Sequence, residues 1–124
     1  KIAFADLENK AGKFIKASID SASAAAAGVT IPDDYRVSIT NADGADAYPI
    51  ATFTYLLLYK SDGKCSAQQP LANLLWWAYN DSSAQSTIKE LNYAPLPSSL
   101  VSRIDATLKS LKCDNGAKSS LGGS

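Results

Sequence analysis

The 124-residue chain contains no histidine, which removes the commonest general base and the commonest metal ligand at once. A Ser-His-Asp or Cys-His nucleophile is therefore impossible within it. Ser-x-x-Lys, a hydrolase spacing, occurs at Ser61–Lys64 and at Ser86–Lys89. The first reads as a turn, Ser61-Asp62-Gly63-Lys64, and the second as an exposed helix face. Asp33 with Asp34, and Asp43 with Asp46, could do acid and base work, but all four fall in turn-forming segments where aspartate satisfies its own backbone. Gly12-Lys13 lacks the upstream glycine of a phosphate loop, and Gly122-Gly123 sits in a Gly/Ser-rich end. Trp76 and Trp77 suggest a sugar or base platform. On a helix, however, neighbours point about 100° apart, which predicts Trp77 on the side of Leu74 and Ala78 and Trp76 at a margin against a neighbour. These residues yield no catalytic group, no metal site and no cofactor.

Lys plus Arg (12) balances Asp plus Glu (12), so no net positive field collects nucleic acid. With 46% hydrophobic and 19% charged residues, the composition is that of a soluble globular domain. The sequence has no methionine and starts at Lys1, from which we expect an upstream segment to have been removed. The apolar-rich, charge-free run Ala47 to Tyr59 contains Pro49 and is shorter than the ~20 residues that span a bilayer as a helix. Cys65 and Cys113 are the only cysteines, each among loop-forming residues. Two cysteines without histidine cannot complete a zinc site, and there is no Cys-x-x-Cys. One structural disulfide, implying an oxidising compartment, is expected if the two loops meet; two free thiols are the alternative.

The elements that must position these residues follow from periodicity. Ile2 to Leu7 alternates as a short strand, and Phe14-Ile15 begins a second. Ser18 is suited to cap a helix through Ala27, stopped by Gly28. Arg36 to Thr40 alternates as a half-buried strand, and Ile50 to Tyr59 is the strongest strand signal, apolar on both faces like a central strand. Pro70 is predicted to open a helix that buries Leu71, Leu74, Leu75, Ala78 and Tyr79. Asp81-Ser82-Ser83 caps a helix over Ala84 to Leu91. Ser98 or Ser99 starts a last helix burying Leu100, Val101, Ile104, Leu108 and Leu111. The predicted class is α/β, a lobe with a mixed sheet covered by helices, whose strand count is thin.

Several segments together are similar to a known family. Asp46-Ala47-Tyr48-Pro49-Ile50, followed by Thr54-Tyr55 and an apolar run, resembles a signature of the phosphate-binding proteins of bacterial phosphate ABC transporters. Leu74-Leu75-Trp76-Trp77-Ala78 and Leu91-Asn92-Tyr93-Ala94-Pro95-Leu96-Pro97 look like two further family segments in the right order. Asn9-Lys10-Ala11-Gly12-Lys13-Phe14-Ile15 and Ser21 to Ala27 resemble the stretch upstream of that strand.

The resemblance implies a periplasmic solute-binding fold of type II, of which residues 1–113 are the carboxy-terminal portion; the Asn-Gly and Gly/Ser composition of residues 114–124 predicts a flexible tail. It implies inorganic phosphate as ligand, the membrane permease of an ABC transporter and the missing amino-terminal part as partners, and no enzyme activity. It also implies a periplasmic or extracytoplasmic location, with anchoring through the missing amino terminus an option. The anion ligands are expected upstream of Lys1, and no residue here is assigned to them. Ala47, Tyr48, Pro49, Ile50, Ala51 and Thr52 read either as a hinge or interlobe strand or as an ordinary strand start in which Pro49 omits an unneeded donor. A secreted phosphatase-like relative and a non-binding structural extracytoplasmic domain are the competing functions.

Overall fold

A computed structural model describes residues 4–61 and 63–121. Six elements are formed: β1 (Leu7–Glu8), β2 (Phe14–Ile15), α1 (Ile19–Ala27), α2 (Cys65–Asn80), α3 (Ser82–Glu90) and α4 (Ser98–Ser110). The result is a small mixed α/β architecture, and its only sheet among the described residues is the antiparallel β1–β2 ribbon, with Leu7 opposite Ile15 and Glu8 opposite Phe14. The chain divides into two compact units, Lys1–Thr54 with Ile88–Pro97, and Tyr55–Thr87 with Ser98–Ser124.

In the first unit, Ser18 caps α1 as expected. Its hydroxyl accepts from the Ser21 N–H at 3.1 Å while the Ser21 hydroxyl accepts from the Ser18 N–H at 3.0 Å, a reciprocal capping box. Asp20 adds a carboxylate in the first turn, where the helix dipole favours it. The alanines of α1 serve a second purpose. Ala25 and Ala26 are buried with Ile39, Ala42, Ala47 and Ala51, a core of mostly methyl side chains that brings backbones close together. The approach is tightest at the helix end, where a Cβ on Gly28 would collide with the Asp43 carbonyl. The stretch expected as a strand at Arg36–Thr40 keeps its alternation, with Val37 and Ile39 inward and Arg36, Ser38 and Thr40 outward, but forms no ladder.

The second unit is built on α2 packed against α4, with Ala72, Leu75, Leu108 and Leu111 buried between them and Leu58, Trp76, Tyr79, Ile104 and Leu121 at the margin. Leu108 is the largest side chain fully enclosed, a burial that stabilises by about 1.5–3 kcal/mol. The buried face of α4 matches the predicted one. That of α2 does not. The helix begins at Cys65, so Pro70 lies inside it, and the buried positions are Gln68, Ala72 and Leu75 while Leu71, Leu74 and Trp77 are exposed. The cause is visible in the sequence: Cys65–Asn80 carries no charge, so nothing marks which side should be wet.

The largest departure is at Ile50–Tyr59, where no strand forms among the described residues and the expected mixed sheet is absent. Strand propensity reflects packing on a paired, pleated surface. Here Leu56 and Leu57 are 62% and 94% exposed, with no neighbouring strand among the described residues. Ile2, at the start of the first expected strand, Asp62 of the Ser61–Lys64 turn and Gly122–Ser124 lie outside the described residues.

α3 starts where α2 stops. The Asp81 N–H closes α2 on the Trp77 carbonyl at 2.9 Å, and its carboxylate accepts from the Ser83 and Ala84 N–H groups at 2.9 and 3.2 Å. At the other end Asn92, at φ +62°, stops α3. Its N–H reaches the Lys89 carbonyl and the Tyr93 N–H the Ile88 carbonyl, a Schellman pattern with asparagine in the left-handed position.

Candidate functional site

The segment singled out as hinge or strand start, Ala47–Thr52, is held by several hydrogen bonds in the first unit. The Tyr48 N–H donates to the Ser21 carbonyl at 3.0 Å, the Asn41 N–H donates to the Pro49 carbonyl at 2.8 Å, and the Thr40 hydroxyl donates to the Ala51 carbonyl at 3.4 Å. Ala47 and Ala51 are buried, whereas Ile50 and Thr52 face outward, Ile50 at 68% exposure. Pro49 has no N–H, so nothing at that position goes unpaired.

A further hold comes from a residue whose part in this segment the sequence does not announce. Asn9 is 5% exposed. Its side-chain amide donates to the Gly44, Ala45 and Ala47 carbonyls at 3.2, 3.0 and 3.2 Å, and its side-chain oxygen accepts from the Ala11 and Lys13 N–H groups at 3.0 and 3.1 Å. The Asn9 backbone closes the same turn through its N–H to the Lys13 carbonyl and its carbonyl from the Gly12 N–H, and Gly12 takes the φ of +74° that the turn demands. Asparagine beside a turn glycine is readable as turn chemistry. Its reach across to Ala47 has no local signal.

In the second unit, Cys65 and Cys113 form a disulfide with Cα atoms 5.0 Å apart. It ties the start of α2 to the segment after α4. Gly63 and Cys113 bridge in parallel, the Lys112 N–H donates to the Lys60 carbonyl at 3.1 Å, and the Asp114 N–H donates to the Gly63 carbonyl at 2.9 Å. Two glutamines of α2 hold the following residues. Gln68 donates to the Lys112 carbonyl at 3.0 Å, and the Gln69 carboxamide donates to the Ser120 carbonyl while accepting from the Ser120 N–H. The Ser119 N–H donates to the Leu111 carbonyl at 2.9 Å. Residues 114–121 thus fold back on Leu111–Cys113.

The candidates for chemistry resolve into local structure. Asp34 takes the Arg36 side chain at 2.9 Å and its backbone N–H at 3.0 Å, and these bonds hold its carboxyl below the ordinary aspartate range. Asp43 pairs with Lys10 at 2.7 Å and Asp46 with Lys13 at 3.7 Å, all four side chains being mostly exposed. Such surface pairs contribute little to stability. The Ser86 hydroxyl donates to the Ser82 carbonyl one turn back, not toward Lys89. Trp76 packs at the margin of the α2–α4 core, as expected, whereas Trp77 is 46% exposed, because the Leu74 side on which it was expected is the wet one. Among the described residues no group of three or more Asp, Glu or Cys side chains could hold a metal ion, and no helix is long and apolar enough to cross a membrane.

The chain is 32% identical over 111 residues to the phosphate-binding protein PstS of Pasteurella multocida, covering 88% of this chain and 32% of that protein. It is similar to PstS over most of its length. The PstS of Xylella fastidiosa is 31% identical over 108 residues, 86% of this chain and 29% of that protein, and the PstS of Haemophilus influenzae is 30% identical over 111 residues, 88% and 33% respectively. The chain therefore spans about a third of the length of these relatives. No family model matches it. A match over 88% of the chain takes in the Ala47–Thr52 segment and α2 wherever it begins.

Proposed function

We propose that this chain is the carboxy-terminal portion of an extracytoplasmic phosphate receptor that delivers inorganic phosphate to the membrane permease of an ABC-type importer. The observation that carries the reading is the identity of about 31% to three proteins named as phosphate-binding, extending over nearly the whole chain. In this reading the chain completes a type II-like lobe. The anion is held by groups in the remaining two thirds of a protein of the relatives' size, and the chain's own carboxylates and lysines stay in their local pairs. No hydrolysis is assigned to it. The disulfide agrees with an oxidising, extracytoplasmic setting.

Ala47–Thr52 is proposed as the hinge or interlobe strand. Supporting this, Asn9, Ser21, Asn41 and Thr40 anchor Ala47, Tyr48, Pro49 and Ala51, while Ile50 and Thr52 face outward. A zero net charge is no obstacle to anion binding, since aimed hydroxyls and backbone amides hold phosphate without a positive field.

Calorimetric titration of inorganic phosphate into the product of the intact gene tests the reading. Binding at about micromolar Kd or tighter, near −8 kcal/mol, is expected. Absence of phosphate binding overturns it. The 124 residues alone are expected to bind phosphate weakly or not at all, and tight binding by them would move the anion site into this chain.

A further inference from the structure

Of the asparagines in the chain, Asn115 alone is followed by glycine. The pair sits at the tip of the turn after α4. There Lys112 bridges Lys118 in antiparallel fashion, the Cys113 N–H donates to the Ala117 carbonyl at 2.8 Å, and the Gly116 N–H donates to the Cys113 carbonyl at 2.9 Å. Gly116 takes φ +80°, so Asp114, Asn115 and Gly116 form a three-residue hairpin loop whose last position is left-handed. Asn115 and Gly116 are exposed, and a Cβ built on Gly116 would meet nothing within 4 Å. Water therefore reaches the Asn115 carboxamide from the open side.

The parts of an intramolecular acyl transfer meet at this tip. The electrophile is Asn115 Cγ. The nucleophile is the Gly116 backbone nitrogen, held next to it by the chain itself and unshielded because glycine has no side chain. Charge develops on Asn115 Oδ1 during attack, and the Ala117 N–H already donates to that oxygen at 2.9 Å. The Cys65 sulfur, which its disulfide leaves without a proton to donate, lies 3.2 Å from the same oxygen and packs against the carboxamide. The leaving group, Asn115 Nδ2, has no hydrogen-bond partner among the described residues.

The other asparagines each lack a part. Asn9 is buried, with its amide and its oxygen both committed to backbone groups. Asn73 and Asn80 lie in α2, and the nitrogen after Asn80 is bonded to the Trp77 carbonyl. Asn41 and Asn92 are followed by Ala42 and Tyr93, whose side chains crowd the attacking nitrogen.

We propose that Asn115-Gly116 is a site of spontaneous covalent modification, in which the asparagine closes to a cyclic imide and water reopens the ring. The Gly116 nitrogen bonds to Asn115 Cγ, the Cγ–Nδ2 bond breaks, and the Gly116 amide proton leaves with Nδ2 as ammonia. Water then breaks one of the two imide C–N bonds, at Cγ to give aspartate or at the main-chain carbonyl carbon to give isoaspartate. The Gly116 N–H must first release the Cys113 carbonyl, so the rate follows the opening of this turn. Either product adds a negative charge beside Asp114 to a chain whose net charge is zero. In isoaspartate the main chain also gains a methylene, which breaks the register that joins Cys113 to Gly116 and Ala117. The hairpin tip then opens, while Gln69 keeps its hold on Ser120.

The test is peptide mapping by mass spectrometry of the intact gene product after incubation at mildly alkaline pH. Amide loss concentrated at Asn115 is expected, yielding separable aspartate and isoaspartate peptides, and it should quicken as pH rises because the attacking nitrogen must lose its proton. Amide loss spread evenly over the asparagines overturns the proposal. So does conversion at Asn115 in denatured protein but not in folded protein, since the folded turn would then withhold the nitrogen. Gly116→Ala, which shields the nitrogen, should slow conversion by about tenfold or more. Asn115→Gln places the carbonyl carbon a methylene farther from the nitrogen and should abolish it without disturbing the glycine. Unchanged conversion in either variant counts against the mechanism. In the isoaspartate form the Cys113 and Gly116 amides should lose their protection from hydrogen exchange, and retained protection would show that the turn does not open.

Discussion

The side-chain amide of Asn9 donates to the carbonyl of Ala47 at 3.2 Å, joining the first turn of the chain to the start of the segment proposed as hinge. The same amide serves Gly44 and Ala45, and the side-chain oxygen serves two N–H groups of its own turn. Asn9→Ala would leave buried backbone groups unpaired, and stability should fall by about 2–4 kcal/mol in urea unfolding. Asn9→Asp keeps the acceptor but points oxygen at three carbonyls, so it should destabilise at least as much as alanine. A variant within about 0.5 kcal/mol of the parent would show that water replaces the clamp.

A second prediction concerns pH. Asp81 caps α3, and its bonds from the Ser83 hydroxyl, then from the Ala84 and Ser83 N–H groups, hold its carboxyl below the ordinary aspartate value. A carboxyl with a depressed folded pKa stabilises the fold fully above its unfolded pKa of about 3.9, and that contribution fades as pH falls through the folded value. Helicity should therefore decline below about pH 4 as the cap is protonated. Asp81→Asn, which keeps an acceptor that does not titrate, should remove this part of the acid transition, as followed by far-ultraviolet circular dichroism.

Asp81 also marks what was legible beforehand. Caps depend on residues within one turn, so Ser18 and Asp81 announce α1 and α3 directly. α4 reads correctly because Lys109, Arg103 and Asp105 mark its wet side while Leu100 and Leu108 mark the dry one. α2 lacks any such charge, and its buried face was misjudged by roughly a quarter turn, so that Gln68 and Ala72 are buried in place of Leu71 and Leu74. For Ile50–Tyr59 the pattern conveys apolarity but not the partner that makes a strand. The proposed hinge was visible as a segment, yet its anchor was not: Asn9 and Ala47 are separated by 38 positions, and no local rule connects them.

The disulfide gives a third prediction. Cys65–Cys113 closes a loop with a separation of 48 positions. Replacing both cysteines by serine should lower stability by about 4 kcal/mol in the chain-entropy view, with the larger effect on the unfolded state. The segment after α4 should nevertheless stay docked in the folded form, because Gln68, Gln69 and the Gly63 bridge hold it independently. Exchange of the Ser119 and Ser120 amides in the oxidised and serine forms would check this. Loss of their protection while α2 and α4 remain protected would make the disulfide their sole tether.

The last prediction turns on a close approach in the same unit. A Cβ on Gly63 would collide with the Gln68 carboxamide and lie 3.3 Å from the Tyr59 Cβ. Gln68 is 5% exposed, and its side-chain oxygen has no hydrogen-bond partner among the described residues, so the carboxamide is already incompletely satisfied. Gly63→Ala would push it aside and break its bond to the Lys112 carbonyl, with an expected cost of about 1–3 kcal/mol. Gln68→Ala alone loses that bond and leaves a void. In the double variant the new methyl enters the space the carboxamide vacates, so the two losses should not add. A coupling of about 1 kcal/mol or more in a double-mutant cycle is expected, and additivity within about 0.3 kcal/mol would mean that the glycine is required for its backbone alone.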